Sequence, residues 1–235
     1  MTKLQIMKNI STVNLLLVLL LTSFNLSAQR RGGQGKHNMF GLKIGINQFN
    51  IKTDNFISTP GTGFVGGFST RGDFYNNMDI QFGINIANNK FKIQGKETAY
   101  SNPIAIDYEL LNAQVQLLFG YKLIGNNRNF RSKFKLTAEI GPILQVNSKM
   151  KLSNTNQENF IIDKANVTAK ELTEINPINF NGLIGLSMGL ERFRVFGHYQ
   201  YGFNNILNKL NDIEGNTNNF KGHLNLFQFG TLFYF

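Results

Sequence analysis

Residues 78–86 read Met-Asp-Ile-Gln-Phe-Gly-Ile-Asn-Ile: Met78, Ile80, Phe82, Ile84 and Ile86 alternate without a break with Asp79, Gln81, Gly83 and Asn85. A two-residue period belongs to a β-strand with one apolar and one polar face, because successive side chains leave opposite sides of the backbone. The same alternation recurs along the chain. Phe40, Leu42, Ile44 and Ile46 alternate with Gly41, Lys43, Gly45 and Asn47, and a shorter set runs through Phe64, Gly66, Phe68 and Thr70. Further sets run from Leu111 to Tyr121, Phe134 to Val146, Ile178 to Leu190, and Phe193 to Phe203.

The eighth set closes the chain as Phe227-Gln228-Phe229-Gly230-Thr231-Leu232-Phe233-Tyr234-Phe235. Its pattern breaks phase, since Leu224 and Leu226 fall opposite Phe227, Phe229, Phe233 and Phe235. The break predicts either a bulge near Leu226 or an early segment outside the layer that the later residues face. Eight strands of this length exceed those of an ordinary sheet and match the ~9 to 11 tilted residues that cross a bilayer.

The connections carry the argument further. Residues 48–61, 88–107, 150–176 and 204–221 read as long polar loops, while 72–77, 125–129 and 191–192 read as tight turns. Long and short alternate, as they do when each hairpin has a periplasmic turn and an extracellular loop.

Which face meets which solvent decides the class. A soluble barrel hides its apolar set inside, whereas an outer-membrane barrel turns it to lipid and keeps a polar interior. Phe40, Tyr121, Phe134, Phe193, Tyr201, Phe203, Phe233 and Phe235 stand at strand ends, where interfacial girdles belong. The polar set is rich in glycine and carries isolated charges, as a narrow lumen requires. The expected fold is all-β: an eight-stranded antiparallel up-and-down transmembrane barrel.

The amino terminus has a different composition. Lys3 and Lys8 precede the run Leu15–Leu21, and Ser27 and Ala28 follow it, which predicts a signal peptide over 1–28, a flexible linker over 29–38 and the barrel over 39–235. The apolar run is shorter than the ~20 residues of a membrane helix. Cleavage removes Lys3 and Lys8 and no acid, taking the formal charge from +10 to +8. For an exported basic protein this points to outer-membrane lipid and lipopolysaccharide as partners rather than nucleic acid. The chain has no cysteine, which excludes disulfides, thiolate metal sites and a lipid-attachment cysteine.

Little catalytic chemistry emerges. His37, His198 and His223 are dispersed, so no metal-ligand pair forms, and no cofactor is expected. Ser187, His198 and Asp79 supply the residue types of an acyl-transfer triad, but three polar lumen residues near one another are expected without that role. Arg71-Gly72-Asp73 spells an adhesion tripeptide, yet its expected place is a periplasmic turn. The expectation is a protein that is not an enzyme. The candidate site is instead a lumen charge network of Lys43, Asp79, Lys135, Glu139 and Arg194, expected to form ion pairs and hydrogen bonds where they lie at similar depth, because burying a lone charge is costly. An eight-stranded barrel holds only its own side chains or one small ligand, so no diffusive pore is expected.

"FGLKIGINQFN" in the first strand, "GTGFVGGFS" in the second, "AEIGPIL" in the fifth and "HYQYGFNNI" in the seventh resemble the PorT-like outer-membrane β-barrel family of Bacteroidetes. That resemblance implies insertion by the barrel-assembly machinery and a link of its founding member to type IX secretion. The ending also resembles the aromatic-terminated signal which that machinery reads, with Phe229, Phe233 and Phe235 as its residues. Two functions stay open: an interaction barrel docking partners, among them secretion-machinery proteins, through mobile loops or its periplasmic face; or a ligand or transport barrel with a narrow polar lumen.

Overall fold

The computed structural model describes residues 38–235 except 76, 99, 126–133, 166 and 214–218. The expected signal peptide, and all of the expected linker but Asn38, lie outside the described residues. Ten strands form one antiparallel sheet: β1 (Met39–Thr53), β2 (Ser58–Tyr75), β3 (Met78–Lys96), β4 (Ile104–Ile124), β5 (Lys135–Asn147), β6 (Lys151–Leu152), β7 (Ile161–Ile162), β8 (Ile178–Gly189), β9 (Phe193–Gly202) and β10 (Gly222–Tyr234). Eight of them close a ring in the order β1-β2-β3-β4-β5-β8-β9-β10, with β10 pairing back onto β1 from Gly41↔Tyr234 to Thr53↔Gly222. The short β6 and β7 lie outside the ring order, on β4 and β3. Closure leaves no free ladder in the ring, which a wall in lipid requires.

The faces reverse their polarity partway along the strands. On β3, Phe82, Ile84 and Ile86 are exposed on the outer wall while Asp79, Gln81 and Asn85 are buried inside. Beyond Ala87 the order inverts: Lys90 and Lys92 face outward, and Phe91 and Ile93 are buried. β4 inverts between Leu111, outward, and Leu110, inward, and β1 inverts between Ile46, outward, and Phe49, inward. The apolar outer stretch covers Met78–Ile86 on β3, about 26 Å along the strand, and Leu111–Leu123 on β4, about 40 Å. At the ~40° tilt of such strands these average to the ~25 Å apolar band of an outer-membrane barrel.

Above that band the barrel is organised as a water-soluble one, polar outside and apolar inside. Lys90 pairs with Glu109 at 3.2 Å and Lys92 with Asp107 at 3.3 Å across the outer face of β3 and β4. Inside, Phe49, Phe91, Tyr108, Leu172, Leu210 and Phe220 belong to one apolar core. The 148–177 connection builds much of this cap. It adds β6 to the edge of β4 and β7 to the edge of β3. Tyr108 Oη donates to the Ala169 carbonyl at 3.1 Å, fixing the strap to the wall.

Three sequence expectations are corrected here. Residues 48–61 and 88–107 are not long loops: β1 and β2 are separated only by 54–57, and β3 and β4 only by 97–103. The strands run on past the bilayer because their apolar residues find an interior to fill. The described residues of the expected mobile loops near 150–176 and 204–221 are folded into the cap, with Met150, Ile175, Ile206 and Leu207 buried. Finally, β10 has no bulge, since its pairing with both neighbours is unbroken. Leu224 and Leu226 point inward into the cap, so the other expectation, an early segment beyond the bilayer, holds.

Candidate functional site: a layered lumen

The interior is filled in three layers. The short turn between β2 and β3 and the one between β8 and β9 define the periplasmic end. At that end lies a charged layer. Arg71, on the inner face of β2, donates from Nη1 to Asp79 Oδ2 at 3.3 Å, from Nη2 to Gln81 Oε1 at 2.5 Å, and from Nε to Tyr234 Oη at 3.1 Å. The same guanidinium bonds Glu139 on β5 across the lumen. Glu139 also accepts from Ser187 Oγ at 2.5 Å and from His198 Nε2 at 2.7 Å. A carboxylate only accepts, so that imidazole bond carries its hydrogen on Nε2.

Glycines make room for these side chains. A Cβ on Gly120 would lie 2.1 Å from Asp79 Oδ1, and one on Gly185 would lie 2.5 Å from His198 Cδ2. The glycine-rich polar face is therefore the space in which the charged layer sits.

Four of the five expected network residues, Lys43, Asp79, Glu139 and Arg194, are buried in this interior. Only Asp79 and Glu139 enter ion pairs there. Lys43 Nζ donates to Gln228 Oε1 at 2.9 Å and sits 4.6 Å from the centroid of the Phe196 ring. Arg194 donates from Nη1 to Thr137 Oγ1 at 3.3 Å. These two cations thus rest on neutral hydrogen-bond partners, and Asp79 and Glu139 on charged ones. Lys135 does not join the layer; it opens β5 at the rim, half-buried, opposite Gly189.

The residue at the centre of the layer, Arg71, was read as part of a turn. It lies in β2 and is buried, and Asp73 accepts from Lys122 Nζ at 2.5 Å, so the Arg71-Gly72-Asp73 tripeptide is not an exposed turn. The signal that could have placed Arg71 is its phase, shared with Gly67 and Ser69 on the polar face. Ser187 and His198 meet through different oxygens of Glu139, and Asp79 is held by Arg71, so no nucleophile–base–orienter relay of the triad type is formed. Among the described residues no group of three or more His, Asp or Glu side chains forms a metal site.

The middle layer is made of side-chain amides. Gln114 Nε2 donates to Gln145 Oε1 at 3.1 Å, Gln145 Nε2 to Asn147 Oδ1 at 2.6 Å, and Asn147 Nδ2 to Asn179 Oδ1 at 2.6 Å. The cap forms the third layer. Beyond the apolar band, residues 48–62, 88–110, 147–178 and 203–225 carry ten lysines and ten acidic residues. The formal charge of these segments is thus balanced, and the chain's basic excess is carried by residues outside them.

At the carboxyl end, Phe229, Phe233 and Phe235 all stand exposed on the outer wall. Phe40 and Phe235 meet edge to face with centroids 5.3 Å apart, and the Phe235 amide donates to the Phe40 carbonyl at 2.9 Å.

A closed ring with an apolar outer band, a polar lumen and short turns at one end defines an integral barrel of the outer membrane. The family model described as outer membrane protein beta-barrel domain matches residues 27–208, more than three quarters of the chain, and the protein belongs to that family. Solved structures similar to it include Neisserial surface protein A (14% identity, TM-score 0.47, covering 86% of this chain and 100% of that one). Another is OprG from Pseudomonas aeruginosa (14%, 0.46, 85% and 97%). A third is Ail of Yersinia pestis in complex with the heparin analogue sucrose octasulfate (14%, 0.44, 85% and 99%). A search of the curated proteins finds no significant match.

Proposed function

We propose that this barrel is a closed, non-catalytic anchor that docks partner proteins through its folded extracellular cap or its periplasmic face. The observation that carries the reading is the filled interior: an apolar core at one end, a bonded charged layer at the other, and amides between them. Such a barrel has more to offer as a rigid platform than as a passage. The resemblance to PorT-like barrels supplies the partner class, components of the type IX secretion machinery. Purification from mildly solubilised outer membranes tests this directly: co-purifying secretion components, and loss of secretion on deletion, support it. A barrel that purifies alone from a strain whose deletion secretes normally counts against it. In planar bilayers the same protein is expected to show no porin-sized conductance.

One observation favours a second reading, a barrel that takes a small ligand in its lumen. Buried amide atoms of Asn89, Asn112 and Asn181 have no hydrogen-bond partner among the described residues. A ligand retained by the purified protein and lost on substitution of Lys43 or Glu139 would favour that reading over docking.

A further inference from the structure

Two outward glycines, Gly66 and Gly197, interrupt the side chains that corrugate the outer wall; a Cβ on Gly66 would meet only the Lys43 carbonyl, at 3.8 Å. Across four neighbouring strands the pairing aligns Leu186, Gly197, Phe229 and Ile46 in one outward row. A Cβ built on Gly197 meets nothing within 4 Å, whereas on the lumen-facing side one on Gly67 or Gly230 would meet backbone at 2.3 or 2.2 Å. Gly197 is thus an open hollow in the wall. On the outer wall it is bordered by Ile46, Ile184, Leu186, Tyr199, Phe227 and Phe229.

The rows above it change character toward the extracellular side. Phe227 and Gln48 face each other, then Asn225 and Asn50, then His223 and Lys52. Tyr199 Oη donates to Asn225 Oδ1 at 2.7 Å, and the Tyr201 ring stacks on His223 at 5.5 Å. Lys221 precedes His223 by two residues and is exposed. Most cap lysines on the other walls are neutralised: Lys90, Lys92, Lys96, Lys149 and Lys170 each pair with an acid. Among the described residues, Lys52 and Lys221, like Lys151, Lys164 and Lys209, pair with no carboxylate.

Three rows separate Gly197 from the Lys52–His223 pair, about 20 Å along the strands and roughly 15 Å of depth at the usual tilt. That is a little more than half of the ~25 Å apolar band. The hollow therefore lies at the tail end of the outer leaflet, and the cations lie at the level of its head groups.

We propose that this wall is a binding site for one lipopolysaccharide molecule, with an acyl chain of its lipid anchor lying over Gly197 and an anchor phosphate on Lys52, Lys221 and His223. The acyl chain replaces the side chain that the wall lacks, and the phosphate supplies the anion that the two free lysines lack. The leaflet selects the lipid, because the site opens only to the extracellular half of the membrane.

The test is the lipid content of the intact protein. Wild-type barrel extracted from outer membranes in mild detergent and weighed intact should carry one bound lipopolysaccharide. Gly197→Leu fills the hollow from open space, and the double change Lys52→Glu with Lys221→Glu reverses the head-group charge. Each should lower the bound fraction about tenfold, the effect of losing a contact of ordinary strength. Heat-modifiable migration on gels verifies folding of each variant, and the surface charge variant decides if Gly197→Leu does not fold. Equal lipopolysaccharide in all folded forms, phospholipid held in its place, or a dimer sealed over Gly197 overturns the proposal.

Discussion

Arg71 on β2 reaches across the lumen to Glu139 on β5, and both side chains are fully withdrawn from solvent. One guanidinium thereby ties two walls that are not neighbours in the ring, and its remaining donors hold Asp79, Gln81 and Tyr234. The charged layer is organised around this one residue.

Arg71→Met should therefore be among the most damaging lumen substitutions, because it leaves Asp79 and Glu139 buried without their cation. Breaking a buried pair from one side costs about 3–5 kcal/mol. The urea midpoint of the folded barrel, read by heat-modifiable migration, should fall accordingly. Adding Glu139→Gln to Arg71→Met should recover part of the loss, since the uncompensated charge at that position is then gone. A double variant no more stable than the single one would mean that the pair is not coupled.

The outer wall should tolerate charge according to depth. Ile84→Lys places a cation on the lipid face near the middle of the apolar band and should cost about 2–4 kcal/mol. Lys90→Ala removes one partner of an exposed cross-strand pair and should change stability by less than about 1 kcal/mol. Urea titration in lipid vesicles compares them, and a reversal of that order would place the bilayer elsewhere on β3.

Phe91 lies with Phe49 and Tyr108 in the cap, at 5.1 and 5.6 Å between ring centroids. Phe91→Ala should cost the cap about 3–5 kcal/mol, the usual effect of emptying an aromatic site. In intact cells it should open residues 148–177 to external protease while the membrane ring stays heat-modifiable. Unchanged protease resistance would show that the strap is held by something other than this core.

Deleting Phe235, or changing it to Lys, removes the edge-to-face contact with Phe40 and the exposed aromatic that directly follows β10. Outer-membrane levels should drop, as quantified by immunoblot of fractionated envelopes. Unchanged levels would remove Phe235 from the insertion signal.

The ring was legible because its physics is local. Alternation fixes each strand and each face, and Met78–Ile86 shows this without a break. The cap was not legible as a fold for the same reason. Phe91 and Ile93 alternate with Lys90 and Lys92 as regularly as Ile84 and Ile86 do with Asn85, but in opposite phase. A search for one continuous apolar face ends at the inversion and leaves the rest as loop. Leu224 and Leu226 showed the inverted phase openly, and only the pairing on both sides of β10 separates inversion from a bulge. Arg71 was hidden by a tripeptide that looks like a turn. Its partners Asp79 and Glu139 lie 8 and 68 residues away, a distance over which side-chain pairing leaves no sequence period.

The inversion itself is the central claim, and a chain without cysteine allows it to be read one position at a time. Single cysteines at Phe82, Ile84, Asn88, Lys90, Phe91 and Lys92 can be exposed to a membrane-impermeant maleimide on intact cells. Asn88, Lys90 and Lys92 should label, whereas Phe82 and Ile84, in lipid, and Phe91, in the cap core, should not. Labelling at Phe82 or Ile84, or labelling at Phe91 equal to that at Lys90, would contradict the account.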